Sequence, residues 1–260
     1  IFGSSALGNL FIALSDEVKR DIVEQWLECG TTPIVIDSAG KYGAGLALEE
    51  IGRQLSALNV DPSNVEISNK LGWYRVPLET DEPTFEPGAW IDLEHDAVQK
   101  ISRDGILECW RQGCELLGEK YKPMMLSVHD PDEYLATATS DDDRQQKMDD
   151  VLGAYESLAT LKQNGDADSI GVGSKDWSVI QEITSQVDLD WVMFANSLTI
   201  YRHPPELVAF MDELHSRGVA IINSAVFHAG YMVGGDSFDY RQLDPANGYD
   251  AKVIAYRTKF

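Results

Sequence analysis

The chain has 260 residues, of which 43% are hydrophobic and 25% charged, with a formal net charge of −22. The apolar share suffices for a sizeable core and excludes a disordered chain, and no apolar run reaches the roughly 18 residues of a membrane-spanning helix. So acidic a surface repels nucleic acid and anionic membranes, which call for basic patches.

In chain order, Ile1–Gly3 reads as the end of a strand. Ser15 then caps a helix, with Asp16 and Glu17 in the first turn, Val18, Ile22 and Trp26 as its inner face, and Gly30 as its stop. The apolar strand Pro33–Asp37 follows, then a helix near Gly45–Leu58 with Ile51, Leu55 and Leu58 on one face. Val65–Lys70 is a strand, followed by residues 71–100, a long aromatic loop that suits a substrate lid. A helix near Ser102–Leu117 stops at Gly118, and the strand Met124–His129 precedes a helix through Val151, Tyr155 and Leu158. Ile170–Gly173, Trp191–Ala195 and Ala220–Ser224 are further strands. Between and after them come helices through Trp177 and Ile180, then Pro204–Leu214, then Asp250–Tyr256.

Strands apolar on both faces, alternating with helices, imply an α/β protein with a parallel sheet covered by helices. An open sheet would display a glycine-rich dinucleotide fingerprint after its first strand, and "GSSALG" does not fit G-x-G-x-x-G. The expectation is therefore a (β/α)8 TIM barrel forming a single domain over residues 1–260, its eighth βα unit lying beyond the given sequence. Ile1 is not an initiator methionine. Cys29, Cys109 and Cys114 have no metal-ligand spacing and read as reduced, buried thiols in a cytoplasmic protein without a resident metal.

In such a barrel the reaction site lies at the carboxyl ends of the strands. Asp37, Lys70 and His129 end the second, third and fourth strands, Ser174, Asn196 and Ser224 follow the next three, and Tyr42 lies just after Asp37. Each alone has a plain explanation: a helix cap, a snorkelling lysine, a packing histidine. Together their chemistry fits. A lysine ammonium favours the phenolate of a nearby tyrosine, an acid is needed to pair with a buried ammonium, and a histidine can orient a substrate oxygen. Such a set moves a proton on and off an alcohol or carbonyl oxygen.

These motifs resemble those of the aldo-keto reductases, (β/α)8 barrels that use a nicotinamide cofactor and an Asp-Tyr-Lys-His tetrad. "IDSAGKYG" supplies Asp37 and Tyr42, "ISNKLGW" supplies Lys70, "LSVHD" supplies His129, and "IGVGSKDW" resembles the family's strand-five cofactor segment. The wording "FGSSALGNL", "SNKLGWYRVPL" and "VHDPDEYL" is closest to a subgroup of aldose and pyridoxal dehydrogenases. The resemblance implies NAD or NADP as cofactor and oxidation of the anomeric hydroxyl of a free aldose to a lactone. It makes Tyr42 the proton carrier, assisted by Asp37 and Lys70, and lets His129 hold the reacting oxygen. By the same resemblance Gly3, Ser4, Ser174, Asn196, Ser224 and Val226 touch the cofactor, while Trp73, Tyr74 and Asp130 face the substrate. The chain departs from the family at Gly173-Ser174, where Ser-Asn is usual, at Asn196 in place of a glutamine, and at Asn223 in place of a stacking aromatic. The alternatives within this reading are a carbonyl reductase, a pyridoxal dehydrogenase, or a non-catalytic nicotinamide-binding sensor. The expected partner is a small molecule, with the protein a monomer or small homo-oligomer.

Overall fold

The fold is described by a computed structural model covering every residue except Tyr240 and Phe260. It divides into two compact units, Ile1–Val172 and Gly173–Phe260.

The first unit contains β1 (Phe2–Gly3), α1 (Asp16–Cys29), β2 (Ile34–Ala39), α2 (Leu46–Ala57), β3 (Val65–Leu71), β4 (Trp73–Pro77), β5 (His95–Gln99), α3 (Arg103–Leu117), β6 (Pro123–His129), α4 (Pro131–Ala136) and α5 (Asp141–Gln163). β7 (Ser169–Ser174) crosses the division, and the second unit adds α6 (Trp177–Thr184), β8 (Trp191–Ala195), α7 (Pro205–Ser216), β9 (Ala220–Ser224) and α8 (Gly248–Arg257). β1, β2, β3 and β6 pair as parallel neighbours in that order, and β8 pairs in parallel with β9. The strands expected from the apolar runs therefore form within a residue or two of their predicted ends.

The helix starts follow the sequence closely. Ser15, Ser102 and Ser140 each accept a backbone N–H from the first turn of α1, α3 and α5, and the Asp176 carboxylate does the same for α6. Inside the first unit, Ile34 and Ile36 of β2, Ile67 of β3 and Leu48, Ile51 and Leu55 of α2 close one core with Leu7 and Leu117. Full burial of each such side chain is worth about 1.5–3 kcal/mol. Helix α2 lies so near the end of α3 that a Cβ on Gly52 would fall 2.1 Å from the Leu117 carbonyl oxygen, so only glycine fits there.

Three expectations change. The inner face of α1 is Lys19 and Val23 with the expected Ile22 and Trp26 packed on the same core, whereas Val18 is exposed. The buried Lys19 ammonium pairs with Glu50 of α2 at 3.4 Å, which offsets the cost of burying its charge. Cys29 is exposed at the last position of α1, while Cys109 is buried and Cys114 half-buried. Residues 71–100 are not one loop, because β4 and β5 pair as an antiparallel ribbon. The segment between those strands packs Phe85 and Trp90 with Ala44 and Ala97 into a small core of its own, which Tyr42 and Trp73 join.

Candidate active site

Side chains alternate across a strand, so the register of the parallel strands decides which residues share a face. Asp37 pairs with Ser68, Ala39 with Lys70, and Lys70 with Ser127. Asp37, Ser68, Lys70 and His129 consequently lie on one face, near the carboxyl ends of β2, β3 and β6.

The contacts realise that alignment. Lys70 Nζ donates to Asp37 Oδ2 at 2.5 Å and to the Ser38 carbonyl at 3.1 Å, while Ser68 Oγ donates to Asp37 Oδ1 at 3.1 Å. Both partners of the ion pair are buried, which makes it short and charge-assisted. The same ammonium sits 4.6 Å from the centre of the Tyr42 ring, close enough for its charge to act on the phenol. His129 meets that ring edge-on, with centroids 5.6 Å apart and planes at 84°.

Tyr42 is held by its turn. Its N–H donates to the Ala39 carbonyl at 3.1 Å, and its own carbonyl accepts from Ala47 N at 3.2 Å. Gly43 then adopts a φ of +62°, and a Cβ there would lie 2.4 Å from the Gly8 carbonyl oxygen. Both demands require glycine. The tyrosine-bearing turn thus rests directly on the backbone that follows β1.

The remaining sequence candidates in the first unit separate by strand face. Trp73 packs on Phe85, with centroids 5.8 Å apart, and belongs to the aromatic core beside Tyr42. Tyr74, one residue on, lies under the Lys100 ammonium, 4.1 Å from its ring centre, and Lys100 pairs with Glu108 of α3. Gly3 is open, and Ser4 is fully buried with its N–H and Oγ both donating to the Asp37 carbonyl at 3.0 and 2.9 Å. Asp130 occupies the N-cap position of α4, and its Oδ2 lies 3.6 Å from His129 Nε2. The same oxygen lies 3.5 Å from Lys41 Nζ, a residue that sequence reasoning passed over.

In the second unit, Ser174 Oγ donates to the Asp176 carbonyl and Ser224 Oγ to the Phe194 carbonyl. Val226 is half-buried in the turn after β9. Asn196 stands in the left-handed region with φ of +58° and is 3% exposed, its Oδ1 buried without a hydrogen-bond partner. A buried acceptor left unmade is expensive, and an amide N–H from a ligand would satisfy it. Burial pushes the Cys109 thiol up to about 11 and raises that of Cys114, so neither is a ready nucleophile. Among the described residues, no group of three or more His, Cys, Asp or Glu side chains is placed to hold a metal ion.

The sequence model of the aldo/keto reductase family matches residues 1–252. This chain belongs to the aldo/keto reductase family.

Two curated relatives agree with that placement. Pyridoxal 4-dehydrogenase of Microbacterium luteolum is 23% identical over 252 residues, spanning 92% of this chain and 70% of the relative. D-threo-aldose 1-dehydrogenase of a Pseudomonas species is 24% identical over 259 residues, spanning 93% of this chain and 71% of the relative. Among solved structures, the Bombyx mori aldo-keto reductase in complex with NADP superimposes with a TM-score of 0.59 at 20% identity, covering 99% of this chain and 70% of that one. The fold class is thus the (β/α)8 barrel of the aldo/keto reductases. As a member of that family the chain is an oxidoreductase with NAD or NADP as cofactor and a small carbonyl-class substrate. The orphaned Asn196 acceptor fits the carboxamide of such a cofactor. Among the described residues, no helix is long and apolar enough to cross a membrane.

Proposed function

We propose that this aldo/keto reductase oxidises the anomeric hydroxyl of a free aldose, of the L-fucose or D-threo type, to a lactone. The observation that carries the reading is the Lys70 ammonium, paired with buried Asp37 at 2.5 Å and lying 4.6 Å from the Tyr42 ring.

In this mechanism Tyr42 takes the hydroxyl proton as general base. The adjacent ammonium favours the phenolate, and Asp37 holds that ammonium in place beside the ring. His129, edge-on to the phenol, holds the reacting oxygen. Bound nicotinamide supplies the hydride acceptor for oxidation and the donor for reduction. In the reverse direction Tyr42 is the acid. The family resemblance makes Gly3 and Ser4 of the first unit, and Ser174, Asn196, Ser224 and Val226 of the second, each a proposed cofactor contact, with Asn196 Oδ1 accepting from the carboxamide. The half-buried Trp73 ring suits the apolar face of a sugar, and residues 71–100 act as the proposed substrate lid. Asp130 completes the proposed substrate side through its contact with His129, whereas Tyr74 lies on the other face of β4 against Lys100.

A second reading rests on the similarity to pyridoxal 4-dehydrogenase, which is nearly equal in identity to the aldose enzyme. In that case the same tetrad oxidises a pyridine-borne alcohol or hemiacetal. The high negative charge supports a protein without nucleic-acid or membrane partners, and we place it in the cytoplasm as a monomer or small homo-oligomer. The experiment is a reduced-nicotinamide absorbance assay of the full chain with NAD and NADP separately. The substrates are L-fucose, D-arabinose, L-xylose, D-glucose and pyridoxal. Turnover of one of the first three sugars supports the aldose reading, and turnover of pyridoxal alone replaces it with the second.

A further inference from the structure

Lys41 stands beside Tyr42 in the chain, yet its side chain is only 3% exposed. Its ammonium lies 2.7 Å from Glu86 Oε1, 2.7 Å from Glu133 Oε2 and 3.5 Å from Asp130 Oδ2, and 5.0 Å from the centre of the Trp73 ring. An ammonium has three N–H donors. Three carboxylates surround them here, one each from the segment between β4 and β5, the residue after β6, and α4.

Two chains of contacts lead from this cation back to Tyr42. In the first, Glu86 turns its other oxygen to Trp90 Nε1 at 2.8 Å, and the Trp90 ring lies 5.9 Å from that of Tyr42. In the second, Asp130 reaches His129, which meets the Tyr42 ring edge-on. We propose that Lys41 is a positioning residue of the active site. It fixes the Tyr42 and His129 rings relative to each other, and through Glu86 and Trp90 it clamps residues 78–94 against Tyr42.

Charge and burial dictate what its loss does. Three carboxylates converging on one point without a cation repel one another. Asp130 is nearly enclosed, with its side chain 6% exposed, whereas those of Glu86 and Glu133 are 33% and 34% exposed. Glu86 and Glu133 are therefore the two that can turn to water, and Glu86 carries Trp90 with it through the Trp90 Nε1 hydrogen bond. The clamp loosens on one side, and the tyrosine loses a wall of its pocket.

The test compares the wild-type full chain with Lys41→Met and Glu86→Gln. Hydrogen exchange of residues 83–92 is followed without substrate, and kcat, KM and nicotinamide affinity are measured with the substrate that turns over. Faster exchange is expected in both variants. In Lys41→Met a fall in kcat of about 10–100-fold is expected, the size of effect that a misplacement near 1 Å produces. Cofactor affinity stays within about twofold, because the clamp acts on the rings and not on the dinucleotide. Should Lys41→Met fail to fold, Glu86→Gln carries the test alone, since it removes one charge and keeps the buried cation paired. Wild-type exchange in Glu86→Gln overturns the proposal. So does a folded Lys41→Met protein that melts earlier yet keeps the wild-type kcat, because that is the mark of a packing role only. The kinetic arm rests on Tyr42 as proton carrier. The exchange arm does not, so a chain that turns over no substrate refutes the functional reading while the exchange result still decides the clamp.

Discussion

Each unit of the molecule holds a buried polar network built on an aspartate, and the two end differently. In the first, Asp37 holds Lys70, and Lys70 lies over a tyrosine that is only half-buried. In the second, Asp239 Oδ1 accepts from Nδ1 of a fully buried His228 at 2.7 Å, and His228 Nε2 meets Thr199 Oγ1 at 2.7 Å. That hydroxyl already accepts from the N–H groups of Tyr201 and Arg202 and has a more distant alternative acceptor at 3.5 Å, so it donates to Nε2. The ring is further enclosed by Phe238, stacked 4.3 Å away. On paper, an acid, a histidine and a hydroxyl in line resemble a nucleophilic triad. In place, both ring nitrogens are engaged and the ring has no face to water. The comparison teaches that residue types alone do not make a reactive site. A network becomes chemical where its proton-carrying member meets solvent or substrate, and structural where, as with His228 and Thr199, that member is closed.

Lys70→Met should break the first network most severely. It removes the ammonium that supports the phenolate, and turnover should fall by about 10²–10⁴-fold, the usual range for a lost acid–base contribution. It also strands Asp37, and breaking one side of a buried pair costs about 3–5 kcal/mol, readable in chemical denaturation. A variant with wild-type turnover would place the proton route elsewhere. Thr199→Val sharpens the contrast, since it leaves His228 Nε2 and the Tyr201 and Arg202 N–H groups short of a partner. Stability should drop by about 1–3 kcal/mol with kcat unchanged. A large kcat loss at equal stability would instead give the second network a catalytic part.

A packing change outside both networks sets the baseline. Gly52→Ala pushes a methyl into the Leu117 carbonyl and should cost about 1–3 kcal/mol without changing kcat. The smallest effect concerns Asp250, which Arg241 grips with two hydrogen bonds of 2.6 and 2.7 Å. Those bonds, with one from Asp244 N, hold its carboxyl down from 3.8 to about 2. For a depressed carboxyl the stabilisation is present above the ordinary value and lost as pH falls through the folded one. Melting temperature should therefore show a component that declines from about pH 4 to about pH 2, and Asp250→Asn should flatten it. An unchanged acid limb in that variant would contradict the pairing.

Much of this arrangement was legible from the sequence because strands in a parallel sheet are apolar on both faces and end abruptly. Asp37, Lys70 and His129 could be placed at strand mouths before any coordinates, and the register brings them together. Lys41 could not be read this way. Its partners Glu86, Asp130 and Glu133 lie 45 to 92 residues away along the chain, and nothing local marks a lysine as buried. Lys19 failed for the same reason, since counting apolar positions in α1 favours Val18 and misses an ion pair to Glu50. The ribbon of β4 and β5 was hidden because 17 residues separate its strands and no tight-turn dipeptide signals the pairing. Long-range charge pairing and irregular connections thus escape periodicity, which reports only on burial.

The central claim is that Tyr42 carries the proton in a nicotinamide-linked oxidoreduction. Its most direct test is nicotinamide reduction by the wild-type full chain and by Tyr42→Phe with the same substrate, alongside nicotinamide binding to each. The account predicts that turnover is lost in Tyr42→Phe while cofactor affinity stays at the wild-type value. Wild-type turnover by Tyr42→Phe would contradict it.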